Sequence, residues 1–329
     1  MSEAVTSLRS AVRDAVGVLS DAGIHSAEFD VVALAACALG TTSSEVQKLM
    51  ITGAPVPPGF ADLVAERARR VPLQHLTGKA GFRRLELSVG PGVFVPRFET
   101  ELVAGLAIAH LQMISRKANP PEPGRPGDGA TERRADPRGV RGALPRFGEA
   151  EPGPSPGLPR VVVDLCAGSG AIALAIKDEV PAAEVYGVEV SGLAHAWAIR
   201  NRDDLRLDVD IRLGDATLAF PELESGVDVV VSNPPYIPVG AVPTDPEVRD
   251  HDPEVALYGG SADGLRIPLE VAARAAVLLR PGGLFVMEHA DVQGDSVLVG
   301  LESTGLWQEI EDHEDLNGRP RAVTAIRAS

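Results

Sequence analysis

The chain has 329 residues, 44% of them hydrophobic and 23% charged, with a formal net charge of −15. That length leaves room for one large or two medium domains with a buried core, and a field of that sign disfavours broad, non-specific nucleic-acid binding. Two cysteines, Cys37 and Cys166, cannot build a disulfide framework or a four-cysteine zinc centre, so no metal site and a reduced setting are expected.

The first 72 residues read as helices. Val5, Leu8, Val12, Val16 and Leu19 recur at spacings of three and four, an amphipathic stripe that Asp21-Ala22-Gly23 closes. Ser26 is placed to cap a second helix reaching Leu39, and Ser43 or Ser44 a third. Pro57 and Pro58 suit the first turn of a fourth, from Gly59 to Arg70. The run Val31 to Leu39 is too short to cross a bilayer. With no targeting segment in view, the expectation is a cytoplasmic chain without membrane contact, acting as a monomer.

From 79 the period changes to two. Leu85, Leu87 and Val89 alternate with polar residues, and Gly90-Pro91-Gly92 turns the chain before Val93, Phe94 and Val95, which predicts a hairpin. A helix is expected over 100–115. From about 117 to 160 the sequence is rich in proline, glycine and arginine, without apolar periodicity, and is read as a flexible insertion. Strands are then predicted at 161–165, 185–190, 209–213, 227–232, 283–288 and 321–327, alternating with helices at 170–178, 191–204, 262–280 and 292–304. Apolar strands separated by helices predict an α/β fold with a mostly parallel sheet covered on both faces. Its ligands belong at the carboxyl ends of the strands.

Three such strand ends carry chemistry. Val161 to Leu165 leads into Cys166-Ala167-Gly168-Ser169-Gly170, a glycine-bearing turn that lets backbone approach a ligand closely. Glu189 ends the next strand, where a carboxylate can accept from both hydroxyls of a ribose. The loop lacks a dinucleotide fingerprint, because Ala173 stands where a third glycine belongs, and Asp164 at its entrance repels a pyrophosphate but attracts an ammonium or a sulfonium. S-adenosylmethionine carries both cations and no phosphate. Asp215, in Leu213-Gly214-Asp215-Ala216, can accept from an adenine amino group or simply close a turn.

Asn233-Pro234-Pro235-Tyr236 follows the apolar strand Val227 to Ser232. Two prolines end a central strand and offer no N–H, so the turn presents carbonyl acceptors, to which Asn233 adds its side-chain oxygen. A planar –NH2 group is a poor nucleophile because its lone pair is delocalised. Two acceptors gripping its N–H bonds can aim the nitrogen at a methyl group and stabilise the charge that develops there. Tyr236 can pack on the flat face of the acceptor.

With these residues the sequence resembles the release-factor glutamine methyltransferases of the HemK/PrmC type. The resemblance rests on Val71 to Gly78, Val95 to Glu101, the loop 164–170, Asn233 to Pro238, His251 to Gly260, Asp263 to Leu265, Gln293-Gly294 and Asp315 to Arg319. It implies a Rossmann-like class I methyltransferase sheet with a small N-terminal helical domain: residues 1–75 recognising the protein substrate, a hairpin linker at 76–99, and a methyltransferase domain over 100–329. It implies transfer of a methyl group from S-adenosylmethionine to the glutamine of the Gly-Gly-Gln loop in peptide chain release factors. Asp164, Cys166, Ala167, Gly168, Ser169, Gly170, Glu189, Asp215, Ala216 and Asn233 would line the cofactor, and Asn233, Pro234, Pro235 and Tyr236 would hold the amide. A ribosomal-protein glutamine, a nucleic-acid adenine or a non-catalytic cofactor-binding role are the alternatives. Cys166 stands where the family has glycine, Phe98 where it has proline, and the 117–160 insertion is a third departure. Arg97, Glu99 and Thr100 either shape the pocket or hold a hinge.

Overall fold

A computed structural model describes residues 7–118 and 159–329. All but the ends of the 117–160 insertion, and Val5 of the first apolar stripe, lie outside the described residues. The chain divides into two compact units. One runs up to Ala80 and adds Glu86–Val95 and Val242–Pro253; the other comprises Gly81–Leu85, Pro96–Ala241 and Glu254–Ser329. The stretch 242–253, read in the sequence as part of the C-terminal domain, therefore clusters with the N-terminal helices.

The first unit is built on α1 (Leu8–Asp21), α2 (Ala27–Leu39), α3 (Ser43–Thr52), α4 (Phe60–Ala68) and α5 (Leu73–Thr77). Leu8, Val12 and Leu19 of the predicted stripe are buried, joined by Val31, Leu34, Val46 and Phe60 in one core. The caps differ from expectation. Ser26 precedes α2 but makes no cap bond, because its hydroxyl donates to Asp30 instead (2.8 Å). Thr42, not Ser43 or Ser44, caps α3 by accepting from Glu45 N, and Gly59 precedes α4, leaving Pro57 and Pro58 outside it. The hairpin also differs. It pairs β1 (Lys79–Phe82) with β2 (Leu85–Ser88) around Arg83, while Val93 and Val95 are buried coil. Arg83 takes the left-handed conformation (φ 52°) that a tight hairpin turn requires.

The second unit carries α6 (Thr100–Ala118), β3 (Val161–Leu165), α7 (Ala171–Glu179), β4 (Glu184–Glu189), α8 (Gly192–Leu205), β5 (Val209–Leu213) and β6 (Val227–Ser232). After α9 (Pro246–His251), which belongs to the first unit, come α10 (Arg266–Leu278), β7 (Leu279–Glu288), α11 (Gly294–Glu302), β8 (Trp307–Glu314) and β9 (Pro320–Arg327). The seven-stranded sheet runs β5-β4-β3-β6-β7-β9-β8. The first five strands in that order are parallel; β9 lies antiparallel to both β7 and β8. All six residues of β6 are buried, as continuous apolar strands covered on both faces require. Asp228 within β6 is tolerated because it accepts from Val161 N (2.9 Å), Arg160 (3.3 Å) and Arg280 (3.0 Å), tying the starts of three strands together. The strand order reverses between β3 and β6, so the crevice of this fold opens at their carboxyl ends.

Candidate active site

Leu165 and Ser232, the last residues of β3 and β6, are register partners, and the Ser232 hydroxyl donates to the Leu165 carbonyl. The 166–170 loop and the Asn233–Tyr236 turn therefore leave the sheet side by side. Glu189 and Leu213 end the neighbouring strands at the same edge.

Three residues of the loop, Cys166, Gly168 and Gly170, have φ of 72°, 57° and 83°. At Gly170 the left-handed backbone favours glycine, and a Cβ there would come within 3.1 Å of a Leu174 methyl, a tight contact. Cys166 holds a left-handed conformation that costs a non-glycine residue about 1–2 kcal/mol, which accounts for the glycine that the resembled family keeps there. Burial, then the nearby Glu189 carboxylate, pushes the Cys166 thiol up to about 12. It stays protonated and inert to alkylation at pH 8. Labelling the native protein there with iodoacetamide should modify Cys37, which is exposed, and reach Cys166 only after unfolding; peptide mass spectrometry reads the difference.

Glu189 is fixed at the mouth of the loop. Its carboxylate accepts from Gly168 N (2.7 Å) and Ser191 N (2.8 Å). Burial raises its pKa, against the backbone hydrogen bonds from Ser191 and Gly168. Asp164 is fully buried; one carboxylate oxygen accepts from Ala173 N in the first turn of α7 (3.1 Å) and the other has no hydrogen-bond partner among the described residues. Burial lifts its pKa to about 7. An orphaned buried carboxylate oxygen of this kind calls for a cationic or N–H-bearing ligand. The ammonium of S-adenosylmethionine meets that need, so the residues fit the cofactor inferred from the sequence.

Asp215 is exposed, and its Oδ1 accepts from the backbone and the hydroxyl of Thr217 (2.8 and 2.7 Å). Ala216 packs against the core beside it. Sequence reasoning missed Asn201. Buried on α8, it donates to the Ser169 carbonyl (3.0 Å) and braces the loop from behind.

In the turn, Asn233 Nδ2 donates to Thr100 Oγ1 (3.1 Å), which leaves Oδ1 as a free-standing acceptor. The Tyr236 hydroxyl donates to Glu288 Oε1 (3.2 Å), and burial, then the Glu288 charge, pushes the phenol far above its ordinary range. Tyr236 is thus a fixed donor. Its backbone carbonyl accepts from Gln293 Nε2 (2.8 Å). The same Nε2 reaches the Asp263 carbonyl (2.8 Å), and Gln293 Oε1 accepts from Ala290 N (3.0 Å). One buried side chain therefore staples the Asn-Pro-Pro-Tyr turn, the 259–264 loop and the end of β7. Gly264 is required against that staple, since a Cβ there would fall 2.1 Å from the Tyr236 carbonyl.

Two family models match the chain: a PrmC N-terminal domain over residues 10–78 and a methyltransferase small domain over residues 154–245. A release factor glutamine methyltransferase from Streptomyces coelicolor is 43% identical over 319 residues, covering 96% of this chain and 97% of that protein. Another from Mycolicibacterium smegmatis is 38% identical over 326 residues, covering 98% and 99%. A 4-amino-L-phenylalanine/4-methylamino-L-phenylalanine methyltransferase from Streptomyces pristinaespiralis is 36% identical over 329 residues, covering 99% and 97%.

Proposed function

The chain belongs to the release factor glutamine methyltransferase family, and we propose that it methylates the side-chain amide nitrogen of the glutamine in the Gly-Gly-Gln loop of peptide chain release factors. S-adenosylmethionine is the cofactor and, when bound, supplies a methyl group already activated on a sulfonium. The observation that carries the reading is the pairing of Leu165 with Ser232, which sets the 166–170 loop and the Asn233–Tyr236 turn side by side.

In this reading Asp164 takes the ammonium of the cofactor, and Cys166, Ala167, Gly168, Ser169 and Gly170 shape the backbone cradle around it. Glu189 accepts from the ribose, and Asp215 and Ala216 border the adenine. Asn233 Oδ1 and the carbonyl of the Asn-Pro segment grip the two N–H bonds of the glutamine amide. That grip aims the nitrogen and stabilises positive charge as the new bond forms. Orientation of this kind is worth about 7–11 kcal/mol of barrier. The methylated nitrogen is acidic and loses its proton without a strong base. Pro234 and Pro235 keep the turn stiff, and Tyr236 packs beside the amide. The net charge of −15 favours a protein over a nucleic-acid substrate. Action as a monomer in the cytoplasm, away from membranes, completes the reading. The relative that methylates an aryl amine gives a second reading, because that nitrogen too is planar and conjugated.

Incubation with labelled cofactor distinguishes these readings. Label is expected in release factors, and not in ribosomal proteins, 4-amino-L-phenylalanine or nucleic acid. Label in one of the latter alone moves the substrate assignment there. Glu189→Ala should weaken cofactor binding about 10–100-fold, the loss of one hydrogen bond to a charged group at about 1.5–3 kcal/mol, as calorimetric titration would read. Unchanged cofactor affinity would remove Glu189 from the cofactor site.

A further inference from the structure

The Asn-Pro-Pro-Tyr turn needs support that its own residues do not supply. Pro234 and Pro235 have no N–H with which to anchor it. The acceptors assigned to the substrate amide, Asn233 Oδ1 and the carbonyl of the Asn-Pro segment, have to stay clear of internal donors. Such a backbone is held from its two ends. At the first, Ser232 closes β6 and is the register partner of Leu165 on one side and Met287 on the other. Past the second, the chain lies beside the 257–261 segment. Ile237 N donates to the Leu257 carbonyl (2.8 Å), Gly259 N to the Ile237 carbonyl (2.9 Å) and Val239 N to the Ser261 carbonyl (2.9 Å).

Gln293 is the side chain that ties the turn to this second anchor. Its Nε2 donates to the carbonyls of Tyr236 and Asp263, both at 2.8 Å, and its Oε1 accepts from Ala290 N (3.0 Å). It is 5% exposed. Gln293 stands at the N-cap of α11, yet its side chain makes no cap bond. A position where Ser, Thr, Asp or Asn would stabilise the helix is given to a longer side chain that leaves the helix for the turn. Its partners also fix its orientation, since the reverse would set Oε1 against two carbonyl oxygens. Glutamate lacks both donors when ionised, and methionine, of similar size, lacks all three groups. The other end of Tyr236 is held from the same stretch of chain, because Glu288, the last residue of β7, accepts from its hydroxyl (3.2 Å).

We infer that Gln293 is a positioning residue for methyl transfer. By holding the Tyr236 carbonyl it fixes the far end of the turn, so that Asn233 Oδ1 and the neighbouring carbonyl keep the substrate nitrogen in one place. This deepens the methyl-transfer reading and rests on it. A displacement of about 1 Å at a reacting group is enough to cost about 10²-fold in rate.

Kinetics and hydrogen exchange on the full chain test the inference. Calorimetric titration with the cofactor counts the folded sites, so kcat is expressed per site. Gln293→Met should lower kcat about 10–100-fold with cofactor affinity within about threefold, because the 166–170 loop and Glu189 are braced by other partners. Gln293→Glu keeps the acceptor for Ala290 N. At pH 6 a carboxyl buried against two carbonyl oxygens is protonated, which returns one of the two donors, so this variant should lose less kcat than Gln293→Met. A Gln293→Met protein with wild-type kcat, or a Gln293→Glu protein no better than Gln293→Met at pH 6, counts against the inference. Hydrogen exchange reads the turn without any substrate. The prolines leave Tyr236, Ile237 and Val239 as the only amides of the 234–239 stretch. Their exchange should be at least about tenfold faster in Gln293→Met, with β3 unchanged. Equal exchange in both proteins overturns the inference whatever the activity. If the wild type labels no release factor, the substrate assignment falls, while the exchange experiment still decides whether Gln293 holds the turn.

Discussion

Asn233→Ala should lower kcat for methyl transfer about 10²–10³-fold while leaving cofactor affinity within about threefold of the wild type. The size follows from what the residue offers. Its Oδ1 is a pre-set acceptor, because the amide is held from the other side by Thr100 (3.1 Å). Loss of one such group facing developing charge costs ~2.7–4 kcal/mol in comparable sites. The turn itself should survive the substitution. Pro234 and Pro235 fix their own backbone angles, and Gln293 grips the Tyr236 carbonyl (2.8 Å) independently of Asn233. Single-turnover kinetics together with a cofactor titration separate the two quantities. Parallel loss of both would make Asn233 a scaffold residue instead.

The second large effect concerns the helical unit. Arg67→Ala should destabilise that unit by about 3–5 kcal/mol, the cost of leaving buried carboxylates without their cation. Arg67 is 6% exposed and donates to Asp30 (2.7 Å), to Glu247 (2.8 Å) and to the Val71 carbonyl (3.1 Å). Asp30 and Glu247 are themselves buried. Arg70 also reaches Glu247 (2.5 Å), so the carboxylate of α9 would keep one partner while Asp30 would keep only the Ser26 hydroxyl. Burial alone would raise the Glu247 pKa, but hydrogen bonding with Asp245, Arg70 and Arg67 outweighs it and holds the group at about 2, below its ordinary 4.5. A depressed carboxylate pKa contributes stability in full above the unfolded value and loses it as the pH falls through the folded one. The gap between wild type and Arg67→Ala should therefore be widest near pH 7 and narrow from about 4.5 toward 2. Urea unfolding at a series of pH values checks this; a constant gap would mean that lost packing, not charge, explains the defect.

This network also shows what a linear reading cannot reach. Arg67 and Glu247 lie 180 positions apart, and no local pattern links α4 to the short helix α9. The parallel strands were legible because burial on both faces leaves apolar runs such as Val227 to Ser232. The edge strand β8 was not: Trp307 to Glu314 carries four acidic residues on a largely solvent-facing ladder, and it breaks register twice against β9. Antiparallel edge strands need bury little, so neither alternation nor an apolar run announces them.

At the site, Asp164, Glu189 and Asn233 were legible for one shared reason. Each is a polar residue within or just past a buried strand, where such a residue is costly without a purpose. The same signal was present in Glu288, which ends the apolar run Leu284 to Met287. Thr100 was noted only as a pocket or hinge residue, and Gln293 only within a family-like segment. The roles of both depend on partners far away in the chain, at Asn233 and at Tyr236 and Asp263. The Asp215 side chain, singled out from its place after β5, proves to close a local turn as well.

The central claim is that this chain methylates the glutamine of a release factor. The most direct measurement is transfer from S-adenosylmethionine to a purified release factor, with the product digested and mapped by peptide mass spectrometry. The account predicts a single added methyl group on the glutamine of the Gly-Gly-Gln loop, present with the wild type and lost with Asn233→Ala. A release factor that remains unmethylated while the protein demonstrably binds its cofactor, or a methyl group that maps to another residue, would contradict it.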